Sequence, residues 1–540
     1  MNNIREKAIR ILPWLLLACA LVFTIGAYAL FGECGLDSDV SSEMVLAELL
    51  NEQGRLITPD WYYSTELRVV SPVPLYQLGL KIFPGDWHAA HTLGLGLALT
   101  LSALSIVYMG MGAGMGAGAV LCAAALILPV SETHRFLLSS GGFYTGYVIL
   151  SCVVIGMLLR LPRAKKRWPY AAALAALGFV GGLSGVRMPM ILMAPLVLAC
   201  ALEAFDALRS APSLGAFVKS AAAGFAAGTF VCGAAMFCGY LVNAGMLAET
   251  YHFWAYEETQ LEALNLSAVL TQLEKIVVYF GYRPDVPLLS MRGICNVLTT
   301  GVCAWMALCL IGGLMRRGEH TLEERILLYF AAFAVALGIF LNITTGDAGS
   351  DYSVGYFLVG LFALVMTAFM ELSRMKCAMK GVRFAAVLTL AGAMALQSLT
   401  YVLNYFPREV SVYQTAAQWL TDNGYTVGCS TFWNGNVLTE LSDGEIRMYT
   451  YDLWPDEILT TWLQRKDHFD GMPDDQKAFA CVDFMELDRG GLPFREDDLA
   501  WTNGYLSIFT YESAQELNEL LQNWRMSRES EYTSDGEDEK

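Results

Sequence analysis

The stretch Ile11–Glu43 reads ILPWLLLACALVFTIGAYALFGECGLDSDVSSE. Its first part, Ile11–Phe31, carries no charge and has about the length an α-helix needs to cross a hydrocarbon core with its backbone hydrogen bonds closed internally. Asp37 and Asp39 follow within a few residues, so the chain passes abruptly from lipid to water. Arg5, Lys7 and Arg10 precede the run. A secretory signal is the weaker reading, because the apolar stretch exceeds a usual signal core and shows no clear small-x-small cleavage pattern before Asp37.

Working outward, similar runs recur at approximately 91–108, 119–130, 142–159, 169–186, 188–202, 217–242, 296–315, 326–341, 352–370 and 384–403. With 55% hydrophobic and 16% charged residues, the chain does not fit an ordinary soluble globule. These features predict a mainly α, polytopic membrane bundle of about eleven helices over residues 1–403. The glycine-methionine tract 109–118 reads either as a tight turn or as a close helix-packing segment. Short cytoplasmic loops should hold the Lys and Arg excess. Arg160, Arg163, Lys165, Lys166 and Arg167 fall in one such loop, Arg316 and Arg317 in another, and Arg374, Lys376, Lys380 and Arg383 in a third. An odd number of spans then puts the N-terminus in the cytoplasm and residues after Leu403 outside a plasma membrane.

From Asn404 to Lys540 there are 27 acidic and 10 basic residues, a net of −17 that equals the charge of the whole chain. Periodicity changes there too, predicting a small extracytoplasmic α/β domain over 404–526 and a disordered acidic tail over 527–540. Such a charge suits solubility, and no nucleic acid is expected as a partner. Cys429 and Cys481 lie on the outer side, where a disulfide is possible without being indicated by spacing. Neither a nucleotide-binding loop nor a Ser-His-Asp arrangement appears in a suitable context.

Two outer segments are long enough to build a site, 32–90 and 243–295. In the first, Asp37 and Asp39 precede an amphipathic pattern that predicts a helix along the bilayer surface, ended by Gly54. Asp39 or Ser41 would serve as its N-cap in the structural reading; Glu43 one turn on makes capping alone less adequate. Next, WYYSTELRVVSPVPLYQ (Trp61–Gln77) places Glu66 two residues from Arg68, on one side of an extended segment. An acid and a phosphate-binding fork would then face a common site. Arg135 and Arg187 are arginines at the same outer face, against the positive-inside bias, with snorkelling or a structural ion pair as the alternative for each.

These residues resemble the GT-C superfamily of integral membrane glycosyltransferases, which includes protein O-mannosyltransferases, oligosaccharyltransferases and aminoarabinose transferases, and they are also similar to clostridial membrane proteins. The resemblance covers the architecture of the whole chain and, as a motif, about Asp37–Tyr76. It implies Asp39 as the catalytic carboxylate with Asp37 as competitor, Gly54 at the closing turn and Glu66 as the second acid. Asp39-Val40 stands where many relatives have Asp-Glu, and Ser71–Leu75 where others have Lys-Pro-Pro-Leu. The implied activity is transfer of a sugar from a polyprenyl-phosphate donor to a cell-envelope glycan, lipid or protein, with Arg68, Arg187 and Arg135 as phosphate binders and membrane lipids around the bundle. Some relatives use a loop histidine as a metal ligand, which points to His252 with Glu66 or Asp39 and to a divalent cation such as Mg, Mn or Zn. In the soluble domain Trp433 and Asn434 are candidates for stacking on and hydrogen-bonding an acceptor sugar, or else a buried aromatic and a turn amide. Asp347 and Asp351 bring further acids to the outer face. The alternative function is a lipid or polysaccharide transporter or flippase, which should set polar residues along a path through the bilayer midplane.

Overall fold

The computed structural model describes residues 2–535 except 65–66, 141, 254–262, 288, 291–292, 347–348, 350–351, 375–379, 452–461, 474 and 490. Glu66, Asp347 and Asp351 therefore lie outside the described residues. Among those described, nine helices are long and apolar enough to cross a membrane. Two further expected spans are also helices. One, Ala117–Ile127, is followed by Glu132–Leu138 after a bend of 102°. Pro129 supplies no backbone donor there, and Ser131 restarts the helix by accepting the His134 N–H at 3.0 Å. The other, Trp168–Leu183, is a shorter apolar helix.

Small residues set the closest helix contacts. Trp168–Leu183 lies so near Ala221–Val242 that a Cβ on Gly182 would overlap the Met236 carbonyl and one on Gly239 the Phe179 carbonyl. The tract 109–118 is a tight turn: Gly114 and Gly116 both take positive φ between Trp87–Gly112 and Ala117–Ile127. The basic loops are tied to acids on neighbouring helices, as in Arg163–Glu323 at 2.8 Å, Arg316–Glu371 at 2.9 Å and the pair Arg374–Glu324.

The C-terminal domain carries a five-stranded sheet of order β3-β2-β5-β7-β6. Here β2 is Val427–Ser430, β3 Arg447–Thr450, β5 Ala478–Asp483, β6 Leu499–Thr502 and β7 Leu506–Tyr511. β3, β2 and β5 run parallel, and β7 and β6 close the sheet antiparallel. Cys429 sits opposite Ala480 in the β2/β5 register, so Cys481 points to the other face of the sheet. Both thiols are buried and free in separate apolar clusters, which removes the disulfide. The last helix runs Ala514–Asp535. Residues 514–531 contain neither Gly nor Pro and are rich in good helix formers, so the helix propagates through the charge.

The domain is fastened to the segment 32–90. Helix Phe432–Leu441 packs on helix Ser38–Gln53. A two-stranded ladder joins β1, Trp61–Tyr62, to β4, Gln464–Arg465, with Trp61 opposite Arg465. Arg465 also reaches Glu52 at 3.1 Å, and His91 Nδ1 lies 2.6 Å from Glu440 in a fully buried contact.

Candidate active site at the head of the first outer helix

Helix Ser38–Gln53 begins with Asp37, whose carboxylate accepts the Val40 N–H at 2.9 Å, and ends at Gly54 with φ 63°. The cap is thus Asp37 rather than the expected Asp39 or Ser41, because Asp37 alone keeps extended φ/ψ before the first turn. Asp39 is left without a capping duty. The helix does not lie on the bilayer surface either; most of its residues are buried between the bundle and the soluble domain. Its nearly patternless mixture of Val, Met, Leu, Ser and Glu fits burial on all sides.

Burial pushes the Asp39 carboxyl up to about 6, and the neighbouring Asp37 charge adds to the effect. Arg68 and a hydrogen bond from Trp462 pull the other way without cancelling it. Asp37 is also raised, mainly by burial, against its cap hydrogen bond and the charge of Arg135. One turn beyond Asp39, Glu43 is completely enclosed and meets Arg68 Nη1 at 2.5 Å and Ser71 Oγ at 3.4 Å. Burial raises Glu43 while Arg68 opposes the shift. Separating such a buried pair by removing one partner costs about 3–5 kcal/mol, so Arg68 is held in place. Glu43 is not among the residues expected at the site, although its four-residue spacing from Asp39 puts both on one helix face.

Arg68 also stacks over Phe143, 5.0 Å from the ring centroid. The next residue, Tyr144, accepts from Arg187 Nη1 at 3.2 Å. Val70 N–H donates to Ser184 Oγ at 2.8 Å, so the segments carrying Arg68 and Arg187 are adjacent despite their separation in sequence. Arg187 stands among the rings of Tyr144, Tyr147 and Tyr356 at 5.5, 5.7 and 5.2 Å. It lines a cavity of about 250 Å³ whose other walls are mainly apolar, with Met190, Ile191, Leu337 and Leu341, and with Asn342 and Tyr356 as polar members. None of these tyrosines has a local sequence signal that distinguishes it from an interfacial anchor.

Other candidates are placed differently. Arg135 is buried and its Nε donates to Glu132 at 3.1 Å, while Tyr401 Oη donates to the same carboxylate at 2.6 Å. Its charge is matched within one helical turn by Glu132. Asn434 is fully buried, accepts from Tyr413 Oη at 3.1 Å and donates toward Asp483 and Glu486 at 3.4 Å. It cannot meet an acceptor sugar. Trp433 is 48% exposed and remains open to solvent, its carbonyl accepting from Ser38 Oγ at 2.8 Å. His252 bonds back to the first outer segment, its carbonyl accepting the Tyr63 N–H at 2.9 Å and its ring edge-on to Tyr62 at 4.9 Å. Burial and the Lys466 charge lower its pKa. No three His, Cys, Asp or Glu side chains converge to hold a metal among the described residues. Of the carboxylates expected beside His252, Glu66 lies outside the described residues.

Sequence comparison matches the chain to no family model and to no curated protein. Solved structures do match. ArnT from Cupriavidus metallidurans bound to undecaprenyl phosphate aligns over 92% of this chain and 97% of its own, at 13% identity and a TM-score of 0.57. The same protein in the apo state aligns over the same shares, at 13% identity and 0.55. The oligosaccharyltransferase of Archaeoglobus fulgidus in complex with Zn and sulfate aligns over 80% of this chain and 62% of its own, at 14% identity and 0.45, too remote to bear on the site. At these identities the similarity is one of fold. Bundle and C-terminal domain together share the fold of the ArnT structures.

Proposed function

We propose that the chain is a membrane glycosyltransferase that moves a sugar from a polyprenyl-phosphate-linked donor to an acceptor hydroxyl at the outer face of the plasma membrane. The observation that carries this reading is Asp39: a half-buried carboxylate whose surroundings push it up to about 6, free of capping duty and adjacent to an anchored arginine. Such a group is ionised near neutral pH yet basic enough to accept a proton in the transition state. Asp39 takes the proton of the acceptor hydroxyl, the oxygen attacks the anomeric carbon, and the carbon–phosphate oxygen bond breaks with its electron pair leaving on the prenyl phosphate. This single displacement inverts the configuration. Arg187 meets the departing phosphate, and the apolar cavity beside it receives the first isoprene units of the carrier. Undecaprenyl phosphate in the ArnT structure of like fold supports this choice of carrier. The acceptor is a glycan, lipid or protein of the envelope. The transporter alternative asks for a polar path through the bundle, whereas the cavity between the spans is lined mainly by apolar side chains.

The test is carrier binding in lipid nanodiscs. Undecaprenyl phosphate should raise the melting temperature well above undecaprenol at equal concentration, because occupancy at 100 Kd adds about 2.7 kcal/mol. Identical responses to the two lipids would remove phosphate recognition and the reading with it. Orientation has its own check: in a cysteine-free background, Ser527→Cys should label in intact cells and Lys166→Cys only after permeabilisation. The reverse pattern would invert the topology.

A further inference from the structure

The soluble domain has a second cavity, of about 340 Å³, on the sheet face opposite helix Phe432–Leu441. Helix Ala514–Asp535 packs over β5 and β7, the turn Lys466–Phe469 packs against β3, and the cavity opens between them. Aromatic rings form much of its wall: Tyr449 and Tyr451 from the end of β3, Phe469 from the turn, Trp524 from the last helix and Tyr62 from the first outer segment. Tyr62 and Phe469 meet edge-on at 5.2 Å. The β1/β4 ladder therefore fastens this wall to the segment that carries Arg68.

Two polar groups lining the cavity are unspent. His468 is 4% and Tyr451 8% exposed, and neither His468 Nδ1 nor the Tyr451 hydroxyl has a hydrogen-bond partner among the described residues. Both atoms are sealed from solvent as they stand, and a buried polar group left unpaired costs about 1–3 kcal/mol, so a partner reached by a small shift of either ring would be favoured. Burial lowers the His468 pKa, which favours the neutral ring. Gln522 adds an amide at the rim, the Asn518 amide being held by the Met472 backbone, and Asp470 and Arg525 contribute one charge of each sign.

We propose that this cavity binds a pyranose unit of the acceptor, which makes the acceptor a glycan; the assignment rests on the glycosyltransferase reading above. A pyranose has an apolar C–H face that stacks on aromatic rings and a rim of hydroxyls that pairs with neutral donors and acceptors, the two kinds of surface present here. A prenyl chain would leave the buried imidazole and phenol unsatisfied. A phosphate or nucleotide would ask for clustered cations, whereas Arg525 is offset by Asp470. The volume is near the lower end of the roughly 300–1,000 Å³ typical of small-molecule sites.

Saturation-transfer NMR on the full chain in nanodiscs, with cellobiose, chitobiose and lactose as probes, tests the assignment. At least one should receive saturation at its ring protons. Tyr451→Phe, which removes only the hydroxyl, and Gln522→Ala, on an exposed helix position, should each weaken that disaccharide about fivefold, the loss of one hydrogen bond. Asp39→Asn should bind it as the unaltered chain does. Absence of transfer to all three probes, or affinities unchanged in both cavity variants, overturns the proposal. Full glycosyl transfer by Asp39→Asn would sink the assigned catalytic base while leaving the binding result standing, so the two failures are distinguishable.

Discussion

Asp39→Asn is expected to abolish sugar transfer and at the same time to raise the melting temperature. Losing a positioned general base typically costs about 10²–10⁴-fold in rate. The stability effect has the opposite sign because the folded protein holds this carboxyl at about 6, above its usual 3.8. Ionised Asp39 is thus less favourable in the fold than in the unfolded chain. The neutral carboxyl's full contribution is present below about pH 4 and is lost as the pH rises through about 6. The difference between 3.8 and about 6 corresponds to about 3 kcal/mol, which the amide recovers at neutral pH without changing size. Melting curves of the two proteins should therefore converge below about pH 4 and separate above 6. In the unaltered enzyme kcat/KM should climb as the pH rises through about 6, as the base ionises. A variant that melts lower and still transfers sugar would return Asp39 to a structural role.

This carboxylate is conspicuous in the bare sequence because a membrane restricts what a chain can write. Uncharged runs of helical length leave few places for acids, and Asp37 and Asp39 stand just beyond the first of them. The turn at Gly54 is equally plain, since a left-handed residue after an apolar pattern is usually glycine. Which of the two acids caps the helix is not legible, because both have the same chemistry and the choice depends on where φ and ψ turn helical. Glu43–Arg68 is hidden for another reason: a pair 25 residues apart has no periodic signature, and Glu66 offers a nearer partner. Arg135 is a different lesson. Glu132 lies one turn before it, so the ion pair that occupies it is written locally, and an outward arginine draws attention away from it. Asn434 reads as a turn or sugar-binding amide because its partners Asp483 and Glu486 come from a strand and helix about fifty residues on. The helix Ser38–Gln53 reads as a surface helix for the same reason, since the cover it acquires is Phe432–Leu441, nearly four hundred residues later.

Arg187→Gln should weaken undecaprenyl phosphate by about 10–100-fold and leave undecaprenol almost unaffected. A hydrogen bond to a charged group is worth about 1.5–3 kcal/mol, and the loss falls only on the ligand that carries the charge. The rings of Tyr144, Tyr147 and Tyr356 hold the guanidinium by cation–π contact, and the Tyr144 hydroxyl fixes one of its nitrogens. Lysine has neither the planar fork nor the same stacking, so Arg187→Lys should restore only part of the affinity although it restores the full charge. Asp39→Asn provides the contrast, because removing the base should spare carrier binding while stopping transfer. The pattern expected is therefore two separable defects, affinity at Arg187 and turnover at Asp39. If Arg187→Gln weakened both lipids equally, the arginine would be shaping the apolar cavity rather than meeting a phosphate, and the headgroup would have to be sought at Arg68, where Glu43 already claims one nitrogen of the fork.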